Sequence, residues 1–299
     1  MILFSLKYSI YGFMCRYCVG MLFWYHRDKE RFGYLRKWQS IAFLVHLYDK
    51  KGDGAIDISA VFLPTCIEEK EWFSLISLFS SEAQVGISRL VRKEDRQRKA
   101  VAHLLSSVVL GEHTGMNYSE LVFQRSAYGK PYLAHDEAPK FNVSGSGACV
   151  VCAVAPTDVG IDVEHILPLE ASTIKLLLGI ESNEHSGVKT DLAPLEMESF
   201  YKRWTMLESW LKAEGTGLHS QYPLSSFSPR QIDDEAQKFE VEARQSHLKP
   251  WIVESYILQR SLSEHYAFSF CRRPEQYWNN QVAILDLHEL MRQFRMWVS

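Results

Sequence analysis

A chain of 299 residues exceeds the roughly 100–200 residues of a usual single domain, which allows two lobes or one large domain. With 46% hydrophobic and 23% charged residues it has the composition of an ordinary soluble globule. A net charge of −3 excludes a global attraction to nucleic acid or to an anionic membrane, and neither is expected as a partner.

The first fifty residues are rich in aromatics, but Lys7, Arg16 and the charges from Arg27 to Arg31 cut them into apolar pieces shorter than the ~20 residues of a membrane helix. No small-residue cleavage site follows a long apolar core, so a secretory signal is not expected, while a basic, acid-poor targeting segment stays open. Residues 1–54 are read as an extension that closes on the turn-rich Lys50-Lys-Gly-Asp-Gly54. A strand is predicted over Ala55 to Leu63, then a helix around Glu68 to Phe79. From about Lys93 to Leu110 the positions Val101, Leu104, Leu105 and Val108 follow a 3.6-residue period, which predicts a helix. Its start carries the local basic charge, Arg89, Arg92, Lys93, Arg96, Arg98 and Lys99, interrupted by Glu94 and Asp95. Strands are predicted over Leu121 to Arg125 and Phe141 to Val154, around a Lys130-Pro131 turn, and over Asp158 to Ile166.

Residues 167–199 read as a loop with a helix around Ser172 to Leu178. A helix over Phe200 to Leu218 follows, with strands near Ser225 to Phe227, Trp251 to Arg260 and His265 to Cys271, and a terminal helix from Leu287 to Phe294. This order predicts an α+β protein of two similar lobes, 55–155 and 156–299, joined near Pro156. Cys15-x-x-Cys18 and Cys149-x-x-Cys152 raise a zinc reading. In a strand, however, an i,i+3 separation puts Cys149 and Cys152 on opposite faces, so buried structural thiols are expected there. Nothing suggests a disulfide framework, and a reducing, cytosolic compartment is the default.

The most informative stretch is Gly160-Ile-Asp162-Val-Glu164. Alternate strand residues share a face, so Asp162 and Glu164 point one way while Ile161 and Val163 point into the core. Two like charges side by side call for a cation, and magnesium suits hard oxygen ligands with its remaining positions left to water and phosphate. In the following helix Trp204, Glu208 and Lys212 fall at i, i+4 and i+8 on one face. Glu208 can thus join the carboxylates, with Lys212 one turn away to hold a phosphate. Taken alone, Glu208 and Lys212 read first as an ordinary i,i+4 surface ion pair.

Together these two segments resemble the Sfp-type 4′-phosphopantetheinyl transferases, including the eukaryotic type that activates the aminoadipate reductase of lysine synthesis. The family pattern is a Gly-x-Asp-x-Glu strand and a Trp-x-x-Lys-Glu-Ser/Ala-x-x-Lys helix, and Trp204-Thr-Met-Leu-Glu208-Ser-Trp-Leu-Lys212 departs from it only at Leu207. Tyr128-Gly129-Lys130-Pro131 resembles the family's Gly-Lys-Pro turn, and Phe141-Asn142-Val143-Ser144-Gly145-Ser146 its Phe-Asn-(Ile/Val)-Ser-His-Ser motif with glycine for histidine. Arg92 to Arg98 resembles the basic helix start before them. The resemblance covers roughly Ile56 to Arg273 and implies a pseudo-twofold pair of α+β lobes.

It also implies transfer of the 4′-phosphopantetheine arm of coenzyme A to a serine of acyl- or peptidyl-carrier domains, with release of adenosine 3′,5′-bisphosphate. Such domains occur in fatty-acid synthases, polyketide and peptide synthetases and aminoadipate reductase; the enzyme is expected to be a monomer. On that basis Asp162, Glu164 and Glu208 ligate Mg2+, and Glu208, or a metal-bound water beside Glu164, takes the serine proton. Lys212 steadies the pyrophosphate, while Arg98, Lys130 and Ser144 hold the coenzyme's phosphates. Gly145 removes an imidazole and Leu207 a cation that the family carries. A paralogue that binds carrier domains without modifying them is therefore the alternative, as is a magnesium-dependent phosphohydrolase with water as nucleophile.

Overall fold

Residues 55–65, 67–170, 194–216, 227–235, 237–242, 249–279 and 281–298 are described by a computed structural model of the chain. The extension 1–54, Cys15 and Cys18, the helix expected around Ser172 to Leu178 and the strand start at Ser225 lie outside them. No helix among the described residues is long and apolar enough to cross a membrane.

Within the unit Asp53–Ser299 two antiparallel-rich sheets lie back to back. The first contains β1 (Asp57–Phe62), β4 (Lys140–Ser146), β5 (Cys149–Ala155) and β11 (Val282–Leu285) in the order β11-β1-β5-β4. The second has the order β6-β10-β9-β8-β7, built from β6 (Gly160–His165), β7 (Arg230–Asp233), β8 (Lys238–Val241), β9 (Trp251–Ser261) and β10 (Glu264–Arg272). A small hairpin of β2 (Phe123–Arg125) and β3 (Pro131–Leu133) carries the Lys130-Pro131 turn. The helices are α1 (Glu69–Ile76), α2 (Ser81–Ser88), α3 (Lys93–Thr114), α4 (Pro194–Glu214) and α5 (Leu287–Val298).

Strand periodicity sorts the cores. In β5, which is buried along its whole length, Val150, Cys152 and Val154 join a core shared with α1, α3 and α5. Cys149, Val151 and Ala153 face the other way, into a core between the sheets that also takes Ile161 and Val163 of β6 and Phe268 and Phe270 of β10. The two cysteines thus lie on opposite faces as free buried thiols, and burial pushes both up to about 12. On the outer face of the second sheet, Ala267, Cys271, Val253 and Trp251 pack against Leu207, Trp210 and Leu211 of α4. The layers run helix, sheet, sheet, helix, with one long helix outside each sheet, as the α+β, two-lobe reading expects.

Three differences have physical causes. The short strands β3, β7 and β11 escape a period-two reading because their exposed positions break the alternation. The helix expected over Glu68 to Phe79 ends at Ile76, and Ser80 begins α2 by accepting a hydrogen bond from the Ala83 N–H at 3.3 Å. Finally, the C-terminal lobe does not run to 299 as expected. β11 pairs parallel with β1, and α5 places Leu287, Leu290, Met291 and Phe294 in the core of the first sheet.

Candidate active site

β4 is the edge of the first sheet and β6 the edge of the second, and the two edges face each other. An uncovered edge leaves backbone donors and acceptors unpaired; here side chains bridge the seam. Asn142 Oδ1 accepts from the Ile161 N–H at 2.8 Å, Ser144 Oγ donates to Asp162 Oδ1 at 2.8 Å, and Ser146 Oγ donates to Glu164 Oε2 at 2.6 Å. The alternation of Asn142, Ser144 and Ser146 in β4 matches that of Asp162 and Glu164 in β6, so each hydroxyl meets one carboxylate.

α4 lies across β6 at very short range. A Cβ built on Gly160 would stand 1.9 Å from the Ser209 carbonyl oxygen and 2.4 Å from the Ala213 nitrogen. The motif glycine therefore exists to admit the helix backbone. Thr205, one turn before Ser209, shares a buried hydroxyl chain with Ser269 and Ser255 of the second sheet. With that face fixed, Glu208 and Lys212 turn to Asp162. Lys212 Nζ donates to Asp162 Oδ1 at 2.5 Å and to Ser144 Oγ at 3.0 Å. Asp162 is 3% and Glu208 8% exposed, so these carboxylates are held almost out of water. Burial first, and then the charge of Asp162, raises Glu164 above the usual range and pushes Glu208 up to about 7.

These residues fit a divalent cation by the chemistry of their oxygens. Asp162 Oδ2 and Glu208 Oε1 are buried without a hydrogen-bond partner in the protein, a costly state for acceptors and one that a hard cation removes. Among the described residues, no three His, Cys, Asp or Glu side chains converge on one point as a ready-made metal cage. The Lys212 ammonium occupies Asp162 Oδ1, and Ser146 holds Glu164. The Lys212 side chain is 26% exposed, which leaves its ammonium free to move toward solvent.

The other expected residues divide. Arg98 donates to the Gly147 carbonyl at 3.0 Å and pairs with Asp95, so it lies against the β4–β5 turn and within electrostatic reach of Glu164. Ser144 stands between Asp162 and Lys212 at the seam. The Lys130 ammonium donates to the backbone carbonyls of Val159 at 3.0 Å and Ala213 at 3.2 Å, the latter in the last turn of a helix, where carbonyls lack intrahelical donors. Leu207 is 1% exposed, in the core beneath α4. At Gly145 a Cβ would meet Cys149 O and Val150 Cγ2 at 3.3 Å and Arg98 Cδ at 3.7 Å. Gly147 holds φ +54 in the turn, with His165 Nδ1 2.9 Å from where its Cβ would be.

Sequence reasoning missed Ser146 and Asn142 as partners of the carboxylate strand, though their alternation with Ser144 was visible. It also missed Arg125, which presses with Arg89 on Lys99; burial and these two charges lower the Lys99 pKa. No spacing could have found that group, since β2 returns to the helix start only through the fold.

Two family descriptions match the chain in succession: "4′-phosphopantetheinyl transferase, N-terminal" over residues 67–157 and "4′-phosphopantetheinyl transferase superfamily" over residues 158–271. The 4′-phosphopantetheinyl transferase Sfp of Bacillus subtilis (strain 168) is 31% identical over 193 residues, covering 64% of this chain and 82% of that protein. The 4′-phosphopantetheinyl transferase gsp of Aneurinibacillus migulanus is 28% identical over 239 residues, 80% of this chain and 95% of its own. An L-aminoadipate-semialdehyde dehydrogenase-phosphopantetheinyl transferase of Pongo abelii is 27% identical over 179 residues, 54% of this chain and 57% of its own.

Proposed function

The chain belongs to the 4′-phosphopantetheinyl transferase superfamily and transfers phosphopantetheine to carrier domains, and on that premise we propose that it is a magnesium-dependent holo-carrier-protein synthase drawing on coenzyme A. The observation that carries this reading is the group at the seam between the two sheets, buried Asp162 and Glu208 with the part-buried Glu164 and Lys212. In the reaction a serine oxygen of the carrier forms a bond to the phosphorus bearing the pantetheine arm, while the bond from that phosphorus to the bridging oxygen breaks and adenosine 3′,5′-bisphosphate leaves. The work left to the protein is positioning, charge neutralisation and proton removal.

Asp162, Glu164 and Glu208 would hold Mg2+, which neutralises charge on the pyrophosphate. Glu208, or a metal-bound water beside Glu164, would accept the serine proton. Lys212, once off Asp162, meets the pyrophosphate as a mobile point charge. Arg98 and the Ser144 hydroxyl lie at the β4–β5 end of the seam and hold coenzyme phosphates there. The group of Arg89, Lys99 and Arg125 supports an anionic ligand or an acidic carrier nearby. The compartment we assign is the cytosol, in keeping with free buried thiols. The aminoadipate-type relative supports an aminoadipate-reductase carrier as one substrate.

The test is incubation with coenzyme A, magnesium and a panel of apo-carriers from fatty-acid, polyketide, peptide-synthetase and aminoadipate-reductase systems, followed by mass spectrometry. A gain of the phosphopantetheine mass on a carrier supports the reading. Release of a hydrolysed coenzyme with every carrier unmodified overturns it in favour of a phosphohydrolase.

A further inference from the structure

We propose that Lys130 is a positioning residue for the transfer reaction, a cross-link that sets the carboxylate strand β6 against helix α4 rather than a ligand of the coenzyme. This inference rests on the transferase reading above. Its basis is what the ammonium touches. Lys130 sits in the hairpin turn between β2 and β3, far in sequence from both acceptors, and donates to Val159 O and Ala213 O. Val159 immediately precedes β6, and Ala213 immediately follows Lys212 in the last turn of α4.

Both acceptors border the closest approach in the site. Gly160, next to Val159, packs its Cα against Ser209 and Ala213, so the lysine ties the two backbones where they already touch. From that point Asp162 is two residues along the strand, Lys212 one residue back along the helix, and Glu208 a turn further. A small rotation of α4 about the contact therefore changes the Lys212–Asp162 distance of 2.5 Å and the placing of Glu208.

Chemistry supports a permanent tether. The last carbonyls of a helix lack intrahelical donors and lie at the negative end of its dipole, where a cation is favoured. The Gly215 and Thr216 N–H groups serve Lys212 O and Leu211 O, and Lys130 serves Ala213 O between them. The ammonium is buried, which lowers its pKa, while Asp158 opposes that shift. To reach a phosphate it would have to abandon two carbonyls and leave both buried acceptors unpaired.

The experiment uses the full chain with Lys130→Met and Lys130→Gln. Calorimetry with coenzyme A and magnesium gives the Kd, turnover of an apo-carrier gives kcat, and hydrogen exchange follows amides 209–216. A positioning residue predicts that Lys130→Met loses about tenfold or more in kcat, as displacement of catalytic groups does, with Kd unchanged within about threefold and faster exchange in the last turn of α4. Lys130→Gln, which keeps an N–H donor but no charge, should recover part of kcat. The proposal is overturned if both variants weaken the Kd by about tenfold alike, the result for a lost phosphate charge, or if Lys130→Met keeps wild-type kcat. Should Lys130→Met not fold, the same split between kcat and Kd is read from Lys130→Gln alone. Should the wild-type protein fail to modify any carrier, the transferase reading is what has failed. Hydrogen exchange then decides the tether by itself, and unchanged exchange in the folded variant overturns it.

Discussion

Asp162 is the most constrained residue of the site, accepting from both Ser144 and Lys212 on one oxygen while the other is buried without a partner. Removing it frees Lys212, which reaches water, and relieves the charge pressure on Glu208, so the fold loses little. Asp162→Ala and Glu208→Ala are each expected to lower transfer at least about a hundredfold, the scale of losing one preorganised electrostatic group. Their circular dichroism should stay that of the wild type. Magnesium should raise the melting temperature of the wild-type protein through linkage and raise that of neither variant. Near-normal transfer by either one would remove these carboxylates from the metal site. The sequence made this pair legible because a period of two is local to one strand. It could not show Lys212 on Asp162, since that contact spans fifty residues and exists only once α4 crosses β6.

At the scale of elements, the crossing of α4 over β6 depends on the absence of a side chain at position 160. A Cβ there meets helix backbone, which cannot rotate away as a side chain could. Gly160→Ala is expected to cost about 1–3 kcal/mol or more of stability, as overpacking does, and to reduce transfer, because the displaced helix carries Glu208 and Lys212. Denaturant midpoints and turnover check both effects; an alanine variant as stable and active as the wild type would show that the contact is not what seats the helix.

Helix α3 carries two part-buried groups that respond to pH in opposite senses. Burial lowers His103, hydrogen-bonded to Tyr118 at 2.8 Å, from 6.5 to about 4. Between those values the unfolded chain binds the proton more readily, so this group removes stability as pH falls from 6.5 to 4. Burial raises Glu112 from 4.5 to about 7, and there the folded chain binds the proton more readily, so this group adds stability as pH falls from 7 to 4.5. Burial alone would lower His113, but its bonds to Asp57 and the Val109 carbonyl raise it, and it acts in the same sense as Glu112. Each of the first two contributions is at most about 3 kcal/mol. Thermal melts from pH 7 to pH 5 should show His103→Gln gaining stability relative to the wild type and Glu112→Gln losing it. A parallel response of all three proteins would contradict the assignment.

For the whole molecule, the matched family regions end at residue 271, yet the chain returns to its first sheet after that point. β11 covers the edge of β1, and α5 buries Leu287, Leu290, Met291 and Phe294 against α3 and its neighbours. At about 1.5–3 kcal/mol for each large apolar side chain buried, their loss is comparable with the whole stability of a domain, about 5–15 kcal/mol. A chain ending at residue 281 should therefore be insoluble or unfolded by circular dichroism. Soluble, active protein would show that the first sheet stands without this return.

By itself the sequence determined what local chemistry dictates. It placed the long helix α3 and the body of α4 by their period, though α4 begins at Pro194 inside the stretch read as a loop, the carboxylates of β6 by alternation, the cysteines of β5 on opposite faces, and the family by ordered motifs. The tertiary structure decided what depends on elements distant in the chain. It set the Lys130 ammonium on the carbonyls of Val159 and Ala213, sank Leu207 into the core, brought Arg125 to Arg89 and Lys99, and returned the C-terminal strand and helix to the first sheet. The physical reason is that a residue's spacing fixes which neighbours share its face. What a buried ammonium or an exposed edge then pairs with is fixed only when the layers close and water is gone.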